Sequence, residues 1–303
     1  MDSFTEKFKA LGDPVRLRIT ALLIDGELSV NEITGILGMG QSRISRHLKI
    51  LTDCGILIMR RDGLWAFYSA ACSGPGGEFL SALTFIFDGK DLLADRGRAD
   101  AVRKERAKMT AAFFDSVASD WDDLKKGAIG AIDLNREISV RLNGSAVIAD
   151  LGCGNGDLAI HLMDNGYTVI GVDSSKKMID AAGKKAASRG FSPDFRIGQL
   201  EHLPLRDGEA DAAVLSMVLH HVVYPAEVIQ EVSRVVHSGG SIVAADYDAH
   251  TVEAMREKHH DRRLGFSKKD FTALFTEAGF TVEDIRTVRR GGLAVHIVKA
   301  YKK

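Results

Sequence analysis

The sequence predicts two folds in one chain. Residues 1–72 read as a mainly helical winged helix-turn-helix, and residues 119–303 as an α/β domain with a doubly wound, Rossmann-like sheet, joined through a helical segment at 73–118. Three observations carry this. A capped helix, a tight glycine turn and a second helix with a basic outer face are followed by a hairpin signal at Asp62-Gly63. From Val147 onward, short apolar runs alternate with helical patterns, as βαβ connections require. The first of those runs, V-I-A-D-L-G-C-G-N-G-D at 147–157, passes directly into glycines at alternate positions. With 303 residues and a hydrophobic share of 45%, the chain has enough apolar side chains for two cores.

The N-terminal elements follow in order. Phe4, Phe8 and Leu11 share one helical face that ends near Gly12. Asp13-Pro14 is a helix start, an N-cap with Pro at the first position, and the helix runs to Ile24 with Val15, Ile19, Leu22 and Leu23 apolar. Ser29 and Glu32 form a capping box for a third helix carrying Val30, Ile33, Ile36 and Leu37. After Gly38-Met39-Gly40, Ile44, Leu48 and Leu51 repeat at helical spacing and turn inward. That leaves Gln41, Ser42, Arg43, Ser45, Arg46, His47 and Lys49 outward, with no acid before Asp53. Arg and Gln can read base edges, and Ser, Lys and His can hold phosphates. Two β-prone runs, 56–61 and 64–69, make the wing, with Arg60 and Arg61 at its tip. A small helical bundle with a solvated basic face is the alternative.

This segment resembles the ArsR/SmtB winged-helix repressors in L-G-D-P-V-R-L-R-I (11–19), E-L-S-V-N-E-I (27–33), Q-S-R-I-S-R-H-L-K-I-L (41–51) and G-L-W-A-F-Y (63–68). The resemblance implies a homodimer that binds palindromic operator DNA, often releasing it on binding metal. It also marks a departure. Ser29 and Asn31 stand where that family's thiolate metal site has cysteines, and residues 71–118 hold no His for its other site. Neither Ser nor Asn supplies a thiolate for a soft metal, so no regulatory metal is expected.

Ser73-Gly74-Pro75-Gly76-Gly77 reads as a break, followed by a mostly helical stretch from Glu78 to about Ala118, interrupted near Asp88-Gly89. Phe79, Leu83, Ile86 and Phe87 form an apolar face that the ArsR resemblance makes a dimerisation surface packed on the first helix. Leu92, Ala99, Val102, Met109 and Phe113 follow at roughly heptad spacing, either as a solvated linker or as an extension of the dimer contact. Phe113-Phe114-Asp115 and Trp121-Asp122 suit a lid over a cofactor, or ordinary packing on the core.

In the C-terminal part, Leu158–Met163 reads as a helix and Thr168–Asp173 as a second buried strand ending in an acid. A dinucleotide loop wants G-x-G-x-x-G, whose third glycine would fall at Asp157; here Gly152, Gly154 and Gly156 follow Asp150 instead. That D-x-G-x-G-x-G pattern resembles motif I of class I S-adenosylmethionine (SAM) methyltransferases. Asp173, about twenty residues past Gly152, stands where a carboxylate takes both ribose hydroxyls. A helix over 174–187 places Met178 against an adenine or in the core. Strands over 194–198, 211–217 and 241–246, helices over 225–236 and 266–279, and a closing pair at 281–288 and 293–300 complete the pattern.

Further stretches resemble methyltransferases related to those of quinone biosynthesis. G-Q-L-E-H-L-P-L (198–205) is similar to their G-D-A-x-x-L-P-F, so Gln199 takes the place of an adenine-binding Asp and Leu200 offers the next N–H. S-M-V-L-H-H-V (216–222) is similar to their x-x-L-H-H, which puts Ser216 and His221 at the site, and R-V-V-H-S-G-G (234–240) to their R-V-L-K-P-G-G. No third ligand lies near the paired histidines in sequence, so no metal is expected there either. One His is expected buried and hydrogen-bonded, the other lining the pocket.

Composition narrows the class. A net charge of −1 gives no global nucleic-acid or membrane signal. No apolar run approaches the roughly 20 residues of a membrane span, and M-D-S-F-T-E does not read as a signal peptide, so a cytoplasmic protein is expected. Cys54, Cys72 and Cys153 offer no disulfide framework and are too scattered for arsenic methylation. S-M-V-L in place of D/N-P-P-[YF] argues against DNA amino-methylation. Two expectations remain. The chain is a transcriptional regulator with SAM or S-adenosylhomocysteine as effector, or a small-molecule methyltransferase carrying its own DNA-binding domain. The sequence names no catalytic base and no methyl acceptor.

Overall fold

The structure is a computed structural model; it describes residues 2–117, 130–142, 144, 146–259 and 261–303. The chain divides into two compact units, Met1–Lys108 and Met109–Lys303. The segment expected as a separate connector, 73–118, is therefore shared between them. The reason is burial: Phe79, Phe87, Leu92 and Ala99 all enter the N-terminal core. Trp121 and Asp122 lie outside the described residues. Among the described residues no helix is long and apolar enough to cross a membrane.

In the first unit, α1 (Asp2–Leu11) and α2 (Pro14–Ile24) precede a two-residue β1 (Leu28–Ser29), α3 (Val30–Leu37) and α4 (Gln41–Asp53). The wing, β2 (Leu57–Asp62) and β3 (Trp65–Ala70), follows; β3 lies between β1 and β2 in an antiparallel sheet. The caps are those the sequence predicts. Asp13 accepts from Val15 N (2.8 Å) and Arg16 N (3.0 Å), and Ser29 and Glu32 cap each other reciprocally. Each such cap is worth about 1 kcal/mol. Ile44, Leu48 and Leu51 are fully buried, which fixes the outer face of α4.

The predicted break at 73–77 is instead the first turns of α5 (Gly74–Ser81). The glycines serve close packing. A Cβ on Gly76 would stand 1.9 Å from Gly55 O, and one on Gly77 2.6 Å from the Cys72 carbonyl carbon. A short 3-10 turn (Thr84–Phe87) interrupts the helical stretch before α6 (Lys90–Val117). In this unit α6 is tied to α2 by the Arg18–Asp95 pair (2.6 and 3.0 Å), and to the turn after α2 by Arg103, which donates to Gly26 O (3.0 Å).

The second unit is built on a seven-stranded sheet. After α7 (Leu134–Ser139) come β4 (Val147–Leu151), α8 (Asp157–Asp164), β5 (Thr168–Asp173), α9 (Lys176–Ser188), β6 (Asp194–Ile197) and β7 (Ala210–Ser216). Then follow α10 (Pro225–Val235), β8 (Val236–Tyr247), α11 (Ala254–His259), α12 (Lys268–Glu277), β9 (Phe280–Val288) and β10 (Val295–Lys302). The order is β6-β5-β4-β7-β8-β10-β9, with β10 antiparallel to both neighbours and the other pairings parallel. Odd residues of β4 join one apolar cluster with α10 and α12, while Ile148 joins another with α7 and α8, so both faces are covered. The chain leaves β4 for β5 and β6, then returns to β7 on the other side. The loops after β4 and β7 thus flank the crevice where open α/β sheets bind ligands.

Candidate functional site

The crevice has two unlike halves. On one side, the loop after β4 and the end of β5 surround Asp173. Gly154 N donates to Asp173 Oδ2 (2.9 Å) and Ser175 N to Oδ1 (2.8 Å). Burial pushes the Asp173 carboxyl up, and the N–H groups of Ser175, Gly154 and Ser174 oppose it. Gly152 N donates to Val172 O (2.7 Å), and a Cβ on Gly152 would meet Val218 Cγ2 at 2.5 Å. At φ +74° this residue has to be glycine on two counts. Gly156 is the N-cap of α8. Asp150 is buried on β4. Burial first, then the charges of Asp150 and Asp173, push the Cys153 thiol well up, so it is no thiolate nucleophile at neutral pH. Met178 is buried in the first turn of α9, its N–H held by Ser175 Oγ (3.2 Å). Gly198 N donates to Asp173 O (3.1 Å), which brings the exposed Gln199 and half-buried Leu200 to the same side. The residues Asp150, Gly152, Gly154, Gly156, Asp173, Ser174, Met178, Gln199 and Leu200 therefore converge on one edge of the sheet.

The other half is made of side chains. Ser216 ends β7, and its hydroxyl is buried with no hydrogen-bond partner among the described residues. Met217 follows at φ +59°, a left-handed conformation that is rare outside glycine and gathers at functional sites. His220 is the buried member of the His pair. Its Nδ1 lies 2.7 Å from Asp246 Oδ1, and its N–H donates to Asp246 Oδ2 (3.1 Å). Burial alone would lower the His220 pKa; Asp246 and Asp261 reverse that and hold it above the ordinary value. Burial, then Asp261 and Asp246, push the Tyr247 phenol far up. His221 meets the edge of Phe114 at 4.7 Å between ring centres. Asp261 was missed by the sequence reading, which left 247–265 without elements. It reaches the histidines because Arg262 N and Arg263 N both donate to His220 O (2.9 and 3.0 Å). The distance in sequence that argued against a third ligand is removed by the fold.

The last turn of α6 borders both halves. Ser175 Oγ donates to Asp115 Oδ1 (2.5 Å), Lys177 Nζ to Asp115 O (3.4 Å), and Phe114 packs on His221.

In the first unit, Gln41, Ser42, Arg43, Ser45, Arg46 and Lys49 are exposed along α4, and Lys49 Nζ is 2.8 Å from Asp53. His47 is half-buried, 4.0 Å from the N-cap Asp13. Arg60 departs from the expected wing-tip role. It is held by Glu27 (2.8 Å) and Asp62 over the Phe67 ring, while Arg61 is exposed.

Both units match known families. A model described as "Bacterial regulatory protein, arsR family" matches residues 13–58, and one described as "Methyltransferase domain" matches 149–244. The chain joins an arsR-family regulatory domain to a methyltransferase domain. The arsR-type domain is 48% identical over 62 residues to the arsenic resistance transcriptional regulator ArsR1 of Pseudomonas putida, covering 20% of this chain and 48% of that one. The methyltransferase domain is 27% identical over 165 residues to the ubiquinone/menaquinone biosynthesis C-methyltransferase UbiE of Geobacter sp., covering 52% of this chain and 70% of that one. It is 30% identical over 152 residues to an uncharacterized methyltransferase of Geobacillus thermodenitrificans, covering 45% and 69%. In structure it is similar to a SAM-dependent methyltransferase from Thermotoga maritima (TM-score 0.52, 20% identity, 63% of this chain and 99% of that one), which shows the fold.

In the arsR-type domain, Ser29 is held in a cap that reaches α6. Ser29 donates to Glu32 Oε2 (2.9 Å), and Glu32 lies 3.2 Å from Arg106 of α6.

Proposed function

We propose that this chain is an ArsR-type transcriptional regulator whose methyltransferase domain takes SAM or S-adenosylhomocysteine as its effector. In this reading it is a cytoplasmic homodimer on a palindromic operator, with Gln41, Ser42, Arg43, Ser45, Arg46, His47, Lys49 and Arg61 facing DNA. No metal is taken where ArsR repressors hold one, since Ser29 is committed to a cap. The ribose would rest on Asp173, the methionine part on the loop of Gly152, Gly154 and Gly156, and the adenine near Met178, Gln199 and Leu200.

One observation carries the reading: α6 ends on the cofactor edge. Its Asp115 is hydrogen-bonded to Ser175, two residues from Asp173, and its Phe114 packs on His221. The same helix begins in the arsR-type unit, where Asp95 and Arg103 brace it against α2 and the turn after it. A ligand shifts DNA affinity only by binding one conformation better than another. A ligand that reorders the Ser175 or His221 loops acts on the end of this helix.

The test is operator binding with and without each ligand, alongside calorimetry. A shift in operator affinity that disappears in Asp115→Ala, with ligand affinity kept, supports sensing. Tight ligand binding with no shift supports the second reading, a small-molecule methyltransferase. That reading is favoured by the polar half of the crevice, where the buried Ser216 hydroxyl has no hydrogen-bond partner among the described residues. Methyl transfer is an in-line displacement in which the protein mainly positions the two partners, so it needs a base only for a protonated nucleophile.

A further inference from the structure

We propose that His220, His221 and Asp261 form a mononuclear site for a transition-metal dication of the Zn2+ or Fe2+ class, beyond the C-terminal end of β7 in the methyltransferase unit. The three offer one ligand atom each, all within 4.8 Å of one another. His220 Nε2 and His221 Nδ1 each lie 3.7 Å from Asp261 Oδ1. Ligand atoms about 2.1 Å from a tetrahedral metal stand about 3.4 Å apart, so both His–Asp261 separations lie within a few tenths of an ångström of that spacing.

The spacing separates a cation from a proton. A buried imidazolium shared by two carboxylates would make two short hydrogen bonds. His220 makes one, at 2.7 Å to Asp246, while its other nitrogen stands 3.7 Å from Asp261, beyond hydrogen-bond range.

The surroundings are those of a supported metal ligand. Asp246 fixes the Nδ1 side of His220 and leaves Nε2 for the ion, the carboxylate–histidine arrangement that orients metal-binding imidazoles. Asp246 also accepts the His220 backbone N–H, and the His220 carbonyl accepts from Arg262 and Arg263, which pins Asp261 beside it. Two imidazole nitrogens and one carboxylate oxygen suit Zn2+ or Fe2+, whereas Mg2+ and Ca2+ prefer oxygen alone. Three protein ligands leave a coordination position open to an oxygen, nitrogen or sulfur of a bound small molecule.

The test uses the full chain, stripped with chelator and titrated with Co2+ and then Zn2+. One Co2+ per chain with visible d–d bands, displaced by Zn2+, is expected. Asp261→Asn and His221→Ala should each weaken Zn2+ binding at least about 100-fold, and Asp246→Asn about 10- to 100-fold. Far-UV circular dichroism and thermal melting report whether each variant folds. No stoichiometric Co2+ binding by the folded wild type, or wild-type binding by Asp261→Asn, overturns the site. Where a variant fails to fold, anomalous diffraction at the zinc edge from Zn2+-soaked wild-type crystals decides. A peak between the three named atoms supports the site, and a peak elsewhere or none overturns it.

Discussion

The proposed DNA-facing surface and the proposed cofactor crevice are built on opposite plans. In the arsR-type unit, seven of the candidate contacts lie within residues 41–49 of one helix, and all of them except the half-buried His47 are exposed, away from the core that holds that helix. In the methyltransferase unit, the candidate contacts come from the ends of β4, β5, β6 and β7, and most of them also hold the fold together. Asp173 shows the difference: its two oxygens join the loop after β4 to the start of α9. The lesson is that stability and recognition are separable on α4 and coupled in the crevice.

The largest effect should come from Leu48→Ala, which leaves a void under α4. It should destabilise the arsR-type unit by about 2–5 kcal/mol, read by denaturant unfolding. Next, Asp173→Ala should weaken S-adenosylhomocysteine binding about 100-fold, the loss of hydrogen bonds to a charged acceptor, while operator affinity without ligand is unchanged. Operator affinity that collapsed in this variant would break the separation of the two surfaces. Gly152→Ala should lower both melting temperature and ligand affinity, at a cost of about 1–3 kcal/mol, because its Cβ meets Val218.

Arg43→Ala should weaken operator binding about tenfold and shift stability by no more than about 0.5 kcal/mol. Arg60→Ala, by contrast, should act on wing stability, since Glu27 and Asp62 already hold that side chain. The smallest effect is in pH. In the proposed mode ribose hydroxyls donate to ionised Asp173, so ligand affinity should be full above its raised pKa and fall as pH drops through it, at a pH above that of an ordinary Asp. The sign for the unliganded fold is opposite: ionised Asp173 is disfavoured by burial, so its contribution to stability rises as pH falls through the same value. A calorimetric pH series on wild type and Asp173→Ala separates the two, because the variant should be flat in this window.

Much of this was legible because the signals were local. Asp13-Pro14, the Ser29–Glu32 box and the strand at 168–173 each depend on residues within a few positions, and all recur in the structure. The hairpin recurs too, but its turn falls one residue later than Asp62-Gly63, at Gly63 and Leu64, because Asp62 pairs with Trp65 at the end of β2. Local signals also misled where a residue's reason was distant. Gly76 and Gly77 looked like a chain break, yet they lie in α5 and are glycine because the Gly55 carbonyl and the Cys72 backbone leave no room for a Cβ. Arg60 looked like a free cation at the wing tip until Glu27, thirty-three residues earlier, was folded against it.

The sequence by itself determined the two fold classes, the order of their main elements apart from α5, α7 and α11, the outward face of α4 and the pairing of the glycine loop with Asp173. Those follow from periodicity, caps and strand ends, which are set by neighbours along the chain. Only the tertiary structure decided that Asp261 joins His220 and His221, that Met217 is strained at the end of β7, and that Asp115 reaches Ser175. Each of these is a meeting of segments with no periodic signal, brought together by the return of the chain across the sheet and by single hydrogen bonds that no local pattern encodes.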